Sequence, residues 1–126
     1  MSNIRGKDTK PEVLVRRFLF SQGLRFRKND ARYPGKPDIL LPKYKAAIFI
    51  HGCFWHGHSC RAGKLPSTRR RFWEGKIQKN KERDKSNISE MLEEGWFPII
   101  VWQCQLSNRS KANDRMSKLL QEIYNH

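Results

Sequence analysis

The period of the apolar positions changes repeatedly along the chain, and each change predicts an element. Leu14, Val15, Phe18 and Leu19 recur at helical spacing behind Thr9-Lys-Pro-Glu12, which reads as a capping box with proline in the first turn, and Gly23 closes that helix. "LRFRKN" alternates Leu24 and Phe26 with polar residues, the signature of a half-exposed strand. "YPGKPDILLP" is a turn followed by a short strand beginning at Asp38, and "KAAIFIH" is a continuous apolar run that predicts a strand buried on both faces. Residues 52–66 show no period and predict a long loop, of the kind that carries function. From about Phe72 to Glu93 the chain is charged and helix-forming and stops at Gly95. "WFPIIVW" predicts another buried strand, with Pro98 placing its start at an edge or bulge. Met116, Leu119, Leu120 and Ile123 mark a final amphipathic helix. The order α-β-β-β-α-β-α predicts an α/β fold with a central mixed sheet flanked by helices. No repeat, low-complexity stretch or boundary interrupts it, so residues 1–126 are expected to form a single domain.

Charge narrows the choice of partner. Lys and Arg total 26 against 12 Asp and Glu, a net charge of +14, and the excess falls inside the periodic segments, not in a tail. A folded domain this basic is expected to meet a polyanion, nucleic acid before anionic membrane. No stretch is apolar enough to span a bilayer and no signal-like run opens the chain, so a cytoplasmic, membrane-free setting is expected. Three cysteines cannot all pair within one chain, and alongside histidines they read better as metal ligands.

"HGCFWHGHSC", residues 51–60, gathers three of the four histidines and two of the three cysteines. Cys53, His58 and Cys60 with Cys104, at the end of the last strand, would complete a tetrahedral zinc shell of three thiolates and one imidazole. On spacing alone, His56 or His51 could replace Cys104. A tight "LPKYK" connection would bring Asp38 beside the end of "AAIFIH", where His51 lies. An acid at that place in a basic domain suggests a phosphodiesterase in which Asp38 holds Mg²⁺. Glu12 reads equally as capping-box partner and as a carboxylate supporting Asp38.

Taken together, "PGKPDILLP", "AAIFIHGCFWHGHSC", "LPSTRRRFWEGKIQKNKERD" and "GWFPIIVWQC" resemble the very-short-patch-repair (Vsr) mismatch endonuclease family, in order and in spacing, from about Ile4 to Cys104. The resemblance implies a restriction-endonuclease-like fold of the PD-(D/E)xK superfamily. It implies nicking of double-stranded DNA 5′ to the thymine of a T·G mismatch left by deamination of 5-methylcytosine. Position by position, it implies Asp38 as the catalytic metal ligand, His51 and His56 as active-site histidines and Glu12 as their support. The carbonyl of Ile50, where a threonine is familiar, would join Asp38 on Mg²⁺. Structural zinc would sit on Cys53, His58, Cys60 and Cys104. Phe54, Trp55 and Trp73 would wedge into the base stack, and Lys76 and Asn80 would approach the mismatched bases. Companions of the implied pathway are mismatch-repair proteins and a cytosine-5 methyltransferase, in a prokaryotic cytoplasm at the nucleoid. The chain starts at "MSNIRGKDT", without most of the preceding segment that relatives lay along DNA, so weaker affinity and discrimination are expected; its C-terminal tail is short as well.

Two other readings compete. A zinc-stabilised DNA-binding module would need no acid beside His51, and an isolated aromatic pair such as Phe54–Trp55 could simply cover the metal. A restriction-type or structure-specific nuclease would carry Glu-x-Lys where Phe49 and His51 stand. Aromatics set among basic residues in "RRRFWEGK" favour stacking with phosphate contact over a merely solvated helix face.

Overall fold

Pro11 in the first turn and Val15 and Leu19 one turn apart start and orient the first helix of the computed structural model, which describes residues 10–126. This helix, α1 (Lys10–Ser21), ends just before Gly23 as expected. Its proposed cap, Thr9, lies outside the described residues, as does the start of the resemblance at Ile4.

The strand expected over Leu24–Asn29 shrinks to β1 (Arg27–Lys28). Leu24 is drawn into the core, Phe26 packs against it, and Asn29 turns to a left-handed φ of 47°. Only two residues therefore lie alongside β2 (Ile39–Leu41), pairing antiparallel with Leu40 and Ile39. The second strand opens one residue later than expected, although the N–H of Asp38 still donates to the Ile48 carbonyl at 3.0 Å. A 3-10 turn at Pro42–Tyr44 leads into β3 (Ala46–His51), antiparallel to β2. The loop beyond it contains one 3-10 turn, Arg61–Gly63. Helix α2 (Arg70–Glu93) begins two residues before Phe72. It returns the chain to β4 (Phe97–Trp102), parallel to β3 and at the sheet edge, where Pro98 costs no ladder bond. Helix α3 (Arg109–Asn125) closes the order.

Strand alternation divides the core into two layers. Ile39, Leu41, Ala46, Ile48, Ile99 and Val101 pack with Val15 and Leu19 of α1 and Met116, Leu119 and Ile123 of α3. Leu40, Ala47 and Phe49 face the other way, with Met91 of α2 and Trp96. Helices thus cover both faces of a mixed four-stranded sheet, as expected, and the architecture is consistent with a restriction-endonuclease-like fold. Among the described residues no helix is long and apolar enough to cross a membrane.

Candidate functional site

The register His51↔Trp102 ends β3 and β4 side by side. Two residues beyond each end stand Cys53 and Cys104, so the parallel pairing itself brings these cysteines together. The backbone N–H of Cys104 donates to Sγ of Cys53 at 3.3 Å, and Sγ of Cys104 lies 3.5 Å from Nδ1 of His58. With Cys60, these residues offer four ligand atoms within 4.8 Å of one another. Ligands about 2.0–2.3 Å from a tetrahedral ion stand roughly 3.4–3.8 Å apart, so the set fits such an ion. Burial, with the neighbouring Cys53 and Cys60 thiols, pushes the Cys104 thiol up to about 11, a cost that a bound cation would offset. Gly63 closes the ligand loop against the His58 carbonyl so tightly that a Cβ there would collide with it.

On the other side of the β3 end, Asp38, Ile50, His51, His56 and Asp84 line one cleft, with Lys36 and Arg83 at its rim. Oδ2 of Asp38 accepts from the Ile50 N–H at 2.6 Å. An extended residue sends its N–H and C=O to the same strand edge, so the Ile50 carbonyl faces the Asp38 side, beyond the last β2 partner. Burial above all, with Glu12, which hydrogen-bonds it, pushes Asp38 up to about 7 against the lowering effect of the Ile50 N–H. Glu12 is buried, 4.0 Å from Arg16 and beside Asp38; the capping reading falls on Thr9, outside the described residues.

His51 and His56 stack at 3.8 Å with planes 5° apart. Burial, then the neighbouring His56, lowers His51 to about 4, so it is neutral at physiological pH. Its Nδ1 is buried with no hydrogen-bond partner among the described residues. Asp84 of α2 lies 2.6 Å from Nδ1 of His56; an ionised carboxylate only accepts, which assigns the proton to Nδ1 and leaves Nε2 as the acceptor. His51, His56 and Asp84 also cluster closely enough to suggest ligation. Stacked parallel rings hold their lone pairs in two separate planes that do not meet at one ion, so the cluster suits proton handling better.

Sequence reasoning missed Asp84. Its signal is helical spacing: Trp73, Ile77, Asn80, Asp84, Asn87 and Met91 advance by three or four residues along one face of α2, the face that meets the loop after β3. Gly57, at φ 65°, packs so closely on this face that a Cβ would come within 2.7 Å of Ile77. Nδ2 of Asn80 donates to the Trp55 carbonyl at 2.8 Å, which makes Asn80 a strut of the loop in this structure.

The loop so pinned presents aromatics. Phe54, Trp55 and Trp73 form a mutual edge-to-face group with centroids 5.1–5.8 Å apart. Trp55 is 51% exposed, which rules out the reading in which it is simply buried over the metal. Phe72, absent from the expected set, joins through Trp73 and is itself half exposed. Lys76 lies exposed one turn beyond Trp73, among Arg69, Arg70, Arg71 and Lys79, so the aromatic group sits in basic surroundings.

Known proteins resemble this chain over most of its length. The family model described as DNA mismatch endonuclease Vsr matches residues 1–62. The type II nicking enzyme V.NmeAIP of Neisseria meningitidis is 54% identical over 123 residues, covering 98% of this chain and 88% of its own. The type II nicking enzyme V.XorIIP of Xanthomonas oryzae is 43% identical, over 95% and 88% respectively. The DNA mismatch endonuclease Vsr of Escherichia coli is 47% identical over 114 residues, covering 90% of this chain and 73% of its own.

Proposed function

The chain belongs to the family of the DNA mismatch endonuclease Vsr, and from that premise we propose that it nicks double-stranded DNA 5′ to the thymine of a T·G mismatch. The observation that carries the reading is the joining of an acid, a stacked histidine pair and an exposed aromatic group through one loop and one helix face.

Asp38 and the Ile50 carbonyl would hold Mg²⁺, which when bound supplies Lewis-acid polarisation of the scissile phosphate. The remaining chemistry belongs to side chains. His56, fixed by Asp84, presents Nε2 to take a proton from the attacking water. His51 stays neutral beneath it, so the positive charge arising on His56 meets no second one across the stack. A proton kept on Asp38 by burial and by the neighbouring Glu12 spares the cleft two adjacent negative charges, and a bound cation would take over that role.

Zn²⁺ on Cys53, His58, Cys60 and Cys104 would fix the ends of the loop, so that Phe54, Trp55 and Trp73 can open the base stack without recoiling. Lys76 and Asn80 would approach the opened bases. A mismatched step costs less to open than a paired one, so a wedge selects it. A companion cytosine-5 methyltransferase and mismatch-repair proteins complete the reading, at the nucleoid of a prokaryotic cytoplasm.

The test is a nicking assay on one duplex containing T·G and the same duplex paired T·A, each with and without Mg²⁺. Nicking confined to T·G with Mg²⁺ is expected; equal cutting of both duplexes, or none of either, would defeat the proposal.

A further inference from the structure

Trp102 touches both halves of the site. Its ring stacks on His58 of the Cys/His centre, with centroids 4.1 Å apart and planes at 16°. It also meets His51 edge to face at 5.2 Å and His56 at 6.5 Å. The tryptophan is itself held from behind. Its backbone N–H donates to Oε1 of Gln105 at 2.8 Å, and the same oxygen accepts from Nε of Arg115 at 3.1 Å. Arg115 is nearly buried and also donates to the Ile100 carbonyl and to Glu122. A charged side chain reaching from α3, buried against an edge strand and spent on three acceptors, makes a stiff support for the end of that strand.

We propose that Trp102 is a positioning residue that clamps the His51–His56 stack to the Cys/His metal centre, so that anchoring the loop also orients the histidine that takes the proton. The geometry favours this over simple core filling. Trp102 is only half-buried, and its ring meets a metal-centre imidazole on one side and both cleft imidazoles on the other. Among the described residues, no other ring contact joins the two sites. His56, already held on one side by Asp84, is tied by the ring to His58, two residues on across the left-handed Gly57.

The inference rests on the proposed nicking activity. Trp102→Leu and Trp102→Phe are compared with wild type for bound metal per chain, affinity for T·G duplex and single-turnover nicking rate. Trp102→Leu should keep its metal and bind T·G within about twofold of wild type, while nicking falls roughly 10- to 100-fold, the scale set by misplacing a catalytic group by about an ångström. Trp102→Phe, which restores a flat ring, should recover most of that rate. The imidazole ¹⁵N signals of His51 and His56 should shift in the leucine variant. Wild-type rate in Trp102→Leu, or rate and affinity lost in parallel, or loss of the bound metal, overturns the assignment. Should the leucine variant not fold, Gln105→Met, which frees the Trp102 backbone, decides by the same split between rate and affinity. A wild-type protein that fails to nick T·G in this assay defeats the proposed function itself, and the assignment with it.

Discussion

Asp38 can take a cation only by surrendering the proton that burial and Glu12 favour. Its carboxyl, pushed up to about 7, predicts that apparent affinity for Mg²⁺ rises roughly tenfold per pH unit below that value and flattens above it. Calorimetric titration of the DNA-free protein from pH 5.5 to 8.5 measures this, and a pH-independent affinity would remove Asp38 from the cation site. Folding stability should show far less. The raised Asp38 stabilises the fold at low pH and loses that contribution as pH climbs from about 4 through 7. His51, lowered to about 4, does the reverse, contributing above about 6.5 and losing it as pH falls through that window, so the two largely offset each other. Asp84→Asn should leave T·G binding intact and slow nicking by ~10²-fold or more, because the amide can donate to Nδ1 and stabilise the wrong tautomer of His56. An unchanged rate would show that the His56–Asp84 bond has no part in the reaction.

The helix α2 and the loop before it form one working element. Trp55→Ala should weaken binding to T·G duplex about five- to a hundredfold, the worth of one base stacked on an aromatic at roughly 1–3 kcal/mol. Matched duplex should be affected much less. Equal losses on both duplexes, or a large fall in melting temperature, would make Trp55 a general contact or core residue. Cys104→Ser should lower bound zinc and thermal stability together, since it cuts the tie between the loop and β4; full zinc in that variant would displace Cys104 from the ligand set. The order of elements was legible because helical spacing marks amphipathic helices and short continuous apolar runs mark strands buried on both faces, which calls for helices on both sides of the sheet. The Cys/His group was legible because its ligands crowd into eight residues plus one strand end. Asp84 was not. It sits in a densely charged run, and its four- and seven-residue spacing to Asn80 and Ile77 acquires meaning only once α2 is known to lie against Gly57. The shortening of β1 was hidden for a related reason: alternation cannot show that Leu24 leaves the sheet to fill the core.

For the whole molecule, +14 spread through the folded segments calls for many phosphates. Affinity for duplex should therefore fall steeply with salt, with a log–log slope near −0.9 for each phosphate engaged. Fluorescence titrations between 50 and 200 mM salt measure the slope, and one shallower than about −2 would contradict a phosphate-tracking surface. The stripe on α2 carries a metric consequence. Trp73 and Asp84 are eleven positions apart on one unbroken helix, roughly 16 Å at 1.5 Å per residue. On the proposed reading, the place where the stack is opened and the place where the bond is cut are the two marks of a rigid ruler. The position of the nick relative to the lesion would then be set by the protein and would not be read from the bases. One residue inserted between the marks would turn the far one by about 100° and carry Asp84 off its histidine, leaving a protein that still finds the lesion but no longer knows where to cut.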